Sequence, residues 1–389
     1  METPLVSIVI NNYNYAQFLG SAIESALNQD YEHSEVIVVD DGSQDDSVDV
    51  IAGYGDRIQP VLKENGGQSS ALNAGFAASQ GEIVIFLDAD DLLVPLAARM
   101  VVDAFQGQPE MSRVQYRMGV IDAAGKGTGE TKPAEHVPVP SGDIRRQVLH
   151  FPFDVSWLPT SGNAFAAHVL RRIMPIPGEY GRLNADYYLV HTAPLFGPVF
   201  FLDQVLAYYR VHGSNNFERP NGSIDLRRLR STIHYDELTF QWIRRRAQEA
   251  GLDQRFDIPE RNHSVSTAAS RLTSLKLEPE AHPLKEDRPL PLVLLGLRSA
   301  LRRFDTSMPA RWVFWAWFII MGLSPRRLAR WWAGLFFFPE RRKIFTRLLG
   351  RLHDRRASIK RQGAGGEVEI SPGRLAQKQA GNQARGEEG

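Results

Sequence analysis

Cysteine is absent from this 389-residue sequence. Its absence excludes disulfide bonds, thiol catalysis and cysteine-based zinc sites, and it fits a reducing cytosol. We also expect no secretory signal, because Met1-Glu-Thr-Pro4 leads into an apolar strand without a basic stretch or a cleavable apolar segment. We therefore expect a cytoplasmic protein.

The signatures of several other protein classes are also missing. No G-x-G-x-x-G follows the first apolar strand and no G-x-x-x-x-G-K-[ST] occurs, so the dinucleotide-binding and P-loop classes lose their main support. The run from Trp312 to Leu323 has only twelve uncharged residues, whereas a membrane-spanning helix needs about 20. We therefore expect no spanning helix.

Charge is balanced overall but is divided unevenly along the chain. Lys and Arg total 45, as do Asp and Glu, yet the segment from Arg298 to Arg361 contains 16 basic residues and three acidic ones. Aromatic clusters beside arginine are typical of a segment that binds an anionic membrane surface. The alternative is a set of helices packed on the preceding domain or on a partner subunit. Because no recognition motif accompanies the basic residues, we expect no nucleic-acid partner.

The first hundred residues alternate apolar runs with segments of helical periodicity. Four such units predict an α/β fold, in which a mostly parallel sheet has helices on both faces. The predicted strands are 5–10, 36–39, 58–62 and 83–87, and the predicted helices include 18–27, 47–52, 68–79 and 96–105. A strand at 113–121 precedes a Gly- and Pro-rich stretch, 122–141, which predicts a mobile loop.

Three carboxylates follow the apolar run 83–87, at Asp88, Asp90 and Asp91. Open α/β sheets bind ligands outside the carboxyl ends of their strands. Carboxylate oxygens there suit Mg²⁺ or Mn²⁺, which take their remaining ligands from phosphates and water. The alternative is an acidic turn that caps the next helix.

Other strand-end loops can complete a site for a nucleotide diphosphate. The ring of Tyr13 can stack on a base, and Asp40 and Asp41 can accept hydrogen bonds from the base or the ribose. The Asn65-Gly66-Gly67 turn lets the backbone approach a ligand closely. Together these loops favour a site for a nucleotide diphosphate over an isolated acidic turn.

Three stretches occur in the order VSIVINNYNYAQFLGSAIESALNQ, EVIVVDDGSQDDS and ENGGQSSALNAGFAASQGEIVIFLDADD. They resemble the family-2 glycosyltransferases, inverting enzymes with the GT-A fold, and the likeness covers Pro4 to about Asn216. The resemblance implies a Rossmann-like, mostly parallel mixed sheet with helices on both faces, followed here by a C-terminal helical annex. It also implies a nucleotide-diphosphate sugar donor and Mn²⁺ or Mg²⁺ as cofactor.

The resemblance also implies roles for individual residues. The second Asp of D-x-D, Asp90, would coordinate the metal, while Asp88 lies toward the ribose and phosphates. The Asn184–Leu189 stretch resembles the block whose Asp, here Asp186, is the general base, although Ala185 replaces the usual Glu. A carboxylate suits that task, because it removes the proton of the attacking hydroxyl. The alternative is that Asp186 is a carboxylate that stabilises a helix N-terminus.

The predicted site therefore has four parts. The nucleotide-sugar-binding residues are Asn11, Tyr13, Asp40, Asp41, Asn65, Gly66, Gln68, Asp88 and Arg210. The metal ligands are Asp90, Asp88 and His212, the catalytic base is Asp186, and the acceptor-side residues are Thr160, Ser161, Gly162 and Asn163. In this prediction Arg210 offsets the charge of the leaving group.

The predicted domains are a GT-A catalytic domain over 1–216, a helical extension over 217–305, a basic aromatic segment over 306–362 that binds the membrane surface, and a disordered tail over 363–389. We expect transfer of a single sugar to a hydroxyl of a glycan or lipid-linked glycan, in cell-surface polysaccharide biosynthesis at the inner face of the plasma membrane. One alternative is an inactive nucleotide-sugar or glycan binding protein, which Ala185 favours. Another is a processive synthase, but Gln241-Trp-Ile-Arg-Arg245 lacks the final Trp of that class's Q-x-x-R-W motif.

Overall fold

The computed structural model describes residues 3–181, 184–213, 224–303 and 307–337. The chain divides into two units, Met1–Gly334 and Leu335–Gly389. The predicted tail 363–389, the predicted domain boundary at residue 216 and the end of the predicted membrane-binding segment, 338–362, lie outside the described residues. The domain boundaries therefore stay predictions.

A mixed sheet forms the centre of the first unit, with nine strands among the described residues. Its order is β3-β2-β1-β4-β8-β6-β9-β5, with β7 paired to β6. β1 pairs in parallel with β2 and β4, and β2 pairs in parallel with β3. The strands are β1 Val6–Asn12, β2 Ser34–Asp40, β3 Gln59–Leu62, β4 Ile83–Asp88, β5 Leu92–Leu93, β6 Arg113–Ile121, β7 Gly127–Lys132, β8 Asn163–Ala166 and β9 Val199–Arg210.

Helices cover the sheet and continue beyond it. Those that alternate with the strands are α1 Ala16–Leu27, α2 Ser47–Ala52, α3 Gln68–Ala78, α4 Ala97–Phe105, α5 Arg145–His150, α6 Ala167–Ile173 and α7 Ala185–Thr192. The later helices are α8 Leu226–Glu249, α9 Val265–Leu277, α10 Pro289–Arg302, α11 Met308–Leu323 and α12 Arg326–Phe337. No helix of the described residues combines the length and the apolar character needed to cross a bilayer.

Successive residues of the central strands enter two different hydrophobic cores. Ile8 and Ile85 belong to one core and Val9 and Val84 to the other, because successive side chains of a strand point to opposite faces of the sheet. All four side chains are fully buried. Continuous apolar runs therefore become strands that are buried on both faces.

The predicted alternation of strands and helices in the first hundred residues is confirmed. The predicted loop over 122–141 is wrong in part, because residues Gly127–Lys132 form β7 against β6. The sequence of β7, GTGETK, is polar and mostly exposed. It therefore lacks the apolar alternation by which a strand is recognised.

The close packing of α3 on the sheet requires a residue without a side chain at Gly75. A Cβ atom at this position would lie 2.2 Å from Val9 Cγ1, so we expect Gly75→Ala to destabilise the fold by about 1–3 kcal/mol through overpacking. The matched control is Gly20→Ala in α1, where the nearest atom would be 3.6 Å away. There the higher helix propensity of alanine should leave stability unchanged or raise it by up to about 1 kcal/mol. Urea unfolding of both variants checks this, and equal stabilities would contradict it.

Candidate active site

The carboxyl ends of β1, β2 and β4 lie side by side and bring the predicted loops together. Asn11 is paired with Asp88 across β1 and β4, and Asn12 is paired with Asp40 across β1 and β2. Parallel pairing puts the ends of these strands at one edge of the sheet. The structure thus collects the predicted donor-side residues at that edge.

The carboxylate of Asp40 is bonded within its own neighbourhood. One oxygen accepts hydrogen bonds from the backbone N–H groups of Gly42 and Ser43, at 3.1 and 2.8 Å. The other oxygen accepts from Asn12 Nδ2 at 2.8 Å. Asp40 therefore shapes the turn after β2, and its assignment to the nucleotide remains a prediction.

Asp41 fixes the glycine-rich turn in a similar way. Its buried carboxylate accepts hydrogen bonds from Lys63 Nζ at 2.6 Å and from the N–H groups of Gly66 and Gly67 at 3.0 and 2.7 Å. Its carbonyl accepts from Asn65 Nδ2 at 2.9 Å. The turn is therefore held in one shape by a single carboxylate, and a ligand would meet a preorganised surface.

Two neutral amides contact Asp88 at the end of β4. Its Oδ1 accepts from Asn11 Nδ2 at 2.9 Å and from Gln68 Nε2 at 3.3 Å. The Oδ1 atom of Asn11 is buried and has no hydrogen-bond donor among the described residues. Burial, and then the charge of Asp90, raises the pKa of Asp88 to about 7.

Asp90 pairs with His212 across the site. The Nε2 atom of His212 lies 3.0 Å from Asp90 Oδ2, and the ring of His212 packs against Phe18 with 4.8 Å between centroids. The predicted metal ligands Asp90 and His212 are thus brought together although they are far apart in sequence. Both side chains are nearly buried, at 15% and 6% exposed.

Asp91 contributes a structural contact that the sequence did not reveal. Its carboxylate accepts one hydrogen bond from Ser161 Oγ at 2.7 Å and one from the backbone N–H of Arg210 at 3.0 Å. Burial, followed by the charges of Asp90 and Asp88, raises the pKa of Asp91 well above its usual range. This third acid therefore joins the end of β4 to two other parts of the site.

Arg210 is placed beside the acidic loop by contacts to the backbone. Its Nε donates to the carbonyl of Asp90 at 2.8 Å and its Nη1 donates to that of Ala123 at 3.3 Å. The guanidinium carbon lies 4.9 Å from the ring centroid of Phe18. These contacts hold the Asp90 backbone, and binding of the leaving group by Arg210 remains a prediction.

The predicted acceptor-side residues form one turn of 3₁₀ helix, Thr160–Gly162, followed by Asn163 at the start of β8. Ser161 accepts a hydrogen bond from the N–H of Asp88 at 3.1 Å, so this turn touches the acidic loop as well. Asn163 Nδ2 donates to the carbonyl of Pro159 at 2.7 Å and shapes the turn. The hydroxyl of Thr160 is buried and has no partner among the described residues.

Asp186 lies in the first helical turn of α7 and contacts the 3₁₀ turn Thr160–Gly162. Its Oδ1 accepts a hydrogen bond from the N–H of Tyr187 at 2.8 Å, and the backbone of Thr160 also donates to it. Removal from bulk water nevertheless raises the pKa of this half-buried carboxylate to about 6. With the N–H of Asp186 itself, the predicted base is therefore oriented by three backbone donors.

Gln68 connects the two acidic regions. Its Oε1 accepts a weak hydrogen bond from the N–H of Ala185 at 3.4 Å, while its Nε2 donates to Asp88 at 3.3 Å. One amide therefore spans from the N-terminus of α7 to the end of β4. Through this amide, the helix that carries Asp186 is linked to Asp88.

The helical extension also reaches the candidate base. The hydroxyl of Tyr187 donates to Asp236 Oδ1 in α8 at 2.5 Å, and Thr267 in α9 donates to Asp236 Oδ2 at 2.5 Å. Burial raises the pKa of Asp236 to about 7. The sequence analysis missed Asp236, since an acid within an arginine-rich helix gives no pattern that would distinguish it.

An aromatic group beside Asp186 was missed as well. The ring of Phe153 stacks on that of Tyr187 with 5.4 Å between centroids, and Trp157 packs edge-on against the same ring at 5.3 Å. Trp157 is 36% exposed. A tryptophan three residues before the Thr160 turn was the available signal.

The side chains at this edge offer few ligands of their own to a divalent cation. Among the described residues, no group of three or more His, Cys, Asp or Glu side chains is arranged to hold a metal ion. Asp90 and His212 supply two donors. Burial, and then the charge of Asp90, raises the pKa of the nearby Tyr15 to about 12. These residues fit a Mg²⁺ or Mn²⁺ ion that takes its other ligands from phosphate and water.

Residues 7–164 match the family model described as glycosyl transferase family 2. An uncharacterized glycosyltransferase of Nostoc sp. is 35% identical over 257 residues, which are 65% of this chain and 79% of the relative. The chain belongs to glycosyl transferase family 2. An uncharacterized glycosyltransferase of Rickettsia typhi is 48% identical over 93 residues, which are 24% of this chain and 29% of that relative.

Solved structures similar to this family-2 glycosyltransferase include two ligand complexes. The structure of Staphylococcus aureus TarS with UDP-GlcNAc has a TM-score of 0.46 and 15% identity, over 82% of this chain and 90% of that one. The mannosyltransferase PcManGT from Pyrobaculum calidifontis, with GDP-Man and Mn²⁺, has a TM-score of 0.44 and 18% identity, over 86% and 85%. The expected α/β GT-A fold with additional C-terminal helices is confirmed.

The bond between Tyr187 and Asp236 predicts coupled stability effects. Tyr187→Phe removes the donor and leaves a buried acceptor unpaired, so we expect a loss of about 1–3 kcal/mol in the free energy of unfolding. Asp236→Asn should cost a similar amount, and the double variant should cost less than the sum of the two. Urea unfolding of the four proteins measures the coupling.

The matched control is Tyr235→Phe, because the Tyr235 hydroxyl donates only a 3.4 Å bond to the Tyr180 carbonyl. A loss below about 0.5 kcal/mol is expected there. Strictly additive effects at Tyr187 and Asp236 would show that the bond does not stabilise the protein.

Proposed function

We propose that this family-2 glycosyltransferase is a metal-dependent, inverting enzyme that transfers one sugar from a nucleotide-diphosphate sugar to a hydroxyl of a glycan or lipid-linked glycan. The supply of carboxylates by two different elements is the observation that carries the proposal. One group is the carboxylate cluster at the end of β4, and the other is Asp186, which lies in the first turn of α7. An inverting transfer uses two such groups, because the leaving diphosphate and the attacking hydroxyl lie on opposite faces of the sugar.

Asp186 has the chemistry of a general base. A carboxylate with a pKa of about 6 is largely ionised at neutral pH and is a stronger base than an ordinary aspartate. In the proposed step, the acceptor oxygen forms a bond to the anomeric carbon and its proton passes to Asp186. The bond from the anomeric carbon to the diphosphate oxygen breaks, and the diphosphate leaves with the electron pair.

The cluster around Asp90 would handle the leaving group. Asp90 and His212 would hold a Mn²⁺ or Mg²⁺ ion, with Asp88 beside them, and the ion, when bound, would offset the charge of the diphosphate. Arg210 holds the backbone of Asp90 in position. The preorganised turn at Gly66 and Gly67 and the unpaired acceptor of Asn11 support binding of the nucleotide at this edge.

The site of action remains part of the proposal. The basic and aromatic segment 306–362 supports a location at the inner face of the plasma membrane. There the enzyme would act on an acceptor of cell-surface polysaccharide biosynthesis. The described part of this segment includes α11 and α12.

Substitution of Asp186 tests the base assignment. We expect Asp186→Asn to lower kcat by about 10²–10⁴-fold, because a neutral amide does not accept the hydroxyl proton. Donor binding should be largely retained, and stability should be unchanged or higher, since the raised pKa means that the ionised carboxylate disfavours folding at neutral pH. Asp253→Asn, at an exposed acid, is the matched control.

The pH profile gives a second readout of the same assignment. A base must be deprotonated, so kcat/KM of the wild type should rise with pH and level off above about 6. The residual activity of Asp186→Asn should lack this rise. Near wild-type turnover of Asp186→Asn with a natural acceptor would show that another group removes the proton.

Substitution of Asp90 tests the metal site independently of turnover. Mn²⁺ with a panel of nucleoside diphosphates should raise the melting temperature of the wild type. A ligand at 100 times its dissociation constant adds about 2.7 kcal/mol to the free energy of unfolding. Asp90→Asn should lose most of this shift, and a chelator should abolish it in the wild type. Asp30→Asn, at an exposed acid, should keep the full shift. An undiminished shift in Asp90→Asn would contradict the assignment.

A further inference from the structure

Large apolar side chains are exposed mainly in the last helices of the described chain. Sixteen such residues are exposed among the described residues, and ten of them lie in α10, α11 and α12. Soluble proteins rarely expose contiguous apolar patches without a binding role. The distribution therefore directs attention to this region, which is separate from the candidate active site.

On α10 the exposed apolar residues form one stripe. Leu290, Leu294 and Leu301 are spaced by four and seven residues, so they share a face of the helix. Leu292 and Gly296 are buried on the opposite side. α10 thus has a second apolar face that its packing does not use.

On α11 a matching stripe is present. Met308, Trp312, Ile319 and Leu323 are spaced by four, seven and four residues and again share one face. Phe318 is buried on the other side. Exposures along the two stripes run from 43% at Ile319 to 82% at Leu323.

The contact between the two helices puts the stripes side by side. Trp315 Nε1 donates to the carbonyl of Leu297 at 3.0 Å. Leu297 lies three residues after Leu294, and Trp315 lies three residues after Trp312, so each contact residue borders the stripe of its own helix. The two stripes therefore flank one seam and form a continuous surface, called here the α10–α11 face.

Basic residues border the α10–α11 face. Arg298 and Arg302 are exposed on α10, where Arg298 lies four residues after Leu294, and Arg326 and Arg327 are exposed just after Leu323. The described residues 289–303 and 307–337 contain no Asp or Glu. Apolar side chains with arginine at their edge match the boundary of an anionic bilayer, where tails meet phosphate headgroups.

We propose that the α10–α11 face docks on a bilayer that contains anionic phospholipid. The apolar stripes enter the boundary between headgroups and acyl chains, with Trp312 at headgroup level, and the flanking arginines contact lipid phosphates. This surface includes α10, which precedes the segment 306–362 predicted from the sequence. The inference sharpens the proposed membrane location but does not depend on the proposed sugar-transfer chemistry.

Vesicle sedimentation with the full chain tests the proposal. The probes are vesicles of phosphatidylcholine alone and of equal parts phosphatidylcholine and phosphatidylglycerol. The wild type should sediment with the anionic vesicles and much less with the neutral ones. The paired substitution Trp312→Ser and Leu323→Ser should weaken binding about tenfold or more, because two apolar anchors are lost.

Two further variants make the test specific. Val48→Ser with Leu62→Ser removes two exposed apolar residues of the sheet domain and should bind like the wild type. Leu290→Ser with Leu294→Ser removes two apolar side chains of the same face on α10 and should also weaken binding about tenfold. All substituted residues are exposed, so melting temperatures should match that of the wild type, and a variant that does not fold is replaced by the other pair on this face.

Three outcomes would overturn the proposal. Wild-type binding by both α10–α11 variants would exclude this face, and equal binding to neutral and anionic vesicles would exclude the role of the arginines. A wild type that ignores vesicles but forms a dimer, which the same variants dissociate in ultracentrifugation, would make the face an interface between copies. Loss of sugar transfer with intact vesicle binding would instead count against the proposed function alone.

Discussion

The buried carboxylate of Asp91 is the contact on which the candidate site depends. It accepts hydrogen bonds from Ser161 and from the backbone of Arg210, and so fixes the loop after β4 to the turn before β8 and to the end of β9. Loss of either donor would leave a buried acceptor unpaired, at a cost of about 1–3 kcal/mol. The position of Asp90 follows from this contact, since Asp90 immediately precedes Asp91, whereas the pairing of β4 with β1 holds Asp88.

The same loop concentrates negative charge where little water can screen it. Burial raises the pKa of both Asp88 and Asp91, and Asp90 adds to each shift. Neutral donors such as Asn11 and Ser161 orient these carboxylates but do not cancel their charge. A bound cation, as proposed for this site, would lower the energy of this arrangement directly.

The sequence predicted the donor-side elements well, because each buried parallel strand is a continuous apolar run followed by a polar loop. It did not reveal the contacts that hold these acids in place. Asp40 ends β2 and Asp41 follows it, and their oxygens accept hydrogen bonds from N–H groups of nearby turns, which depend on backbone geometry. Asp236 was invisible for a different reason, since its partner Tyr187 lies 49 residues away in the chain.

The distribution of contacts explains why the donor side and the acceptor side differ in how far they could be predicted. The family model ends at residue 164, so it includes the β4 acids but neither Asp186 nor His212. The placement of Asp186 depends on Gln68, on the Thr160 turn and, through Tyr187, on α8 and α9. The helices after the sheet are therefore part of the structure that positions the proposed base. We expect a change in their packing to act on Asp186 more than on the acids at the end of β4.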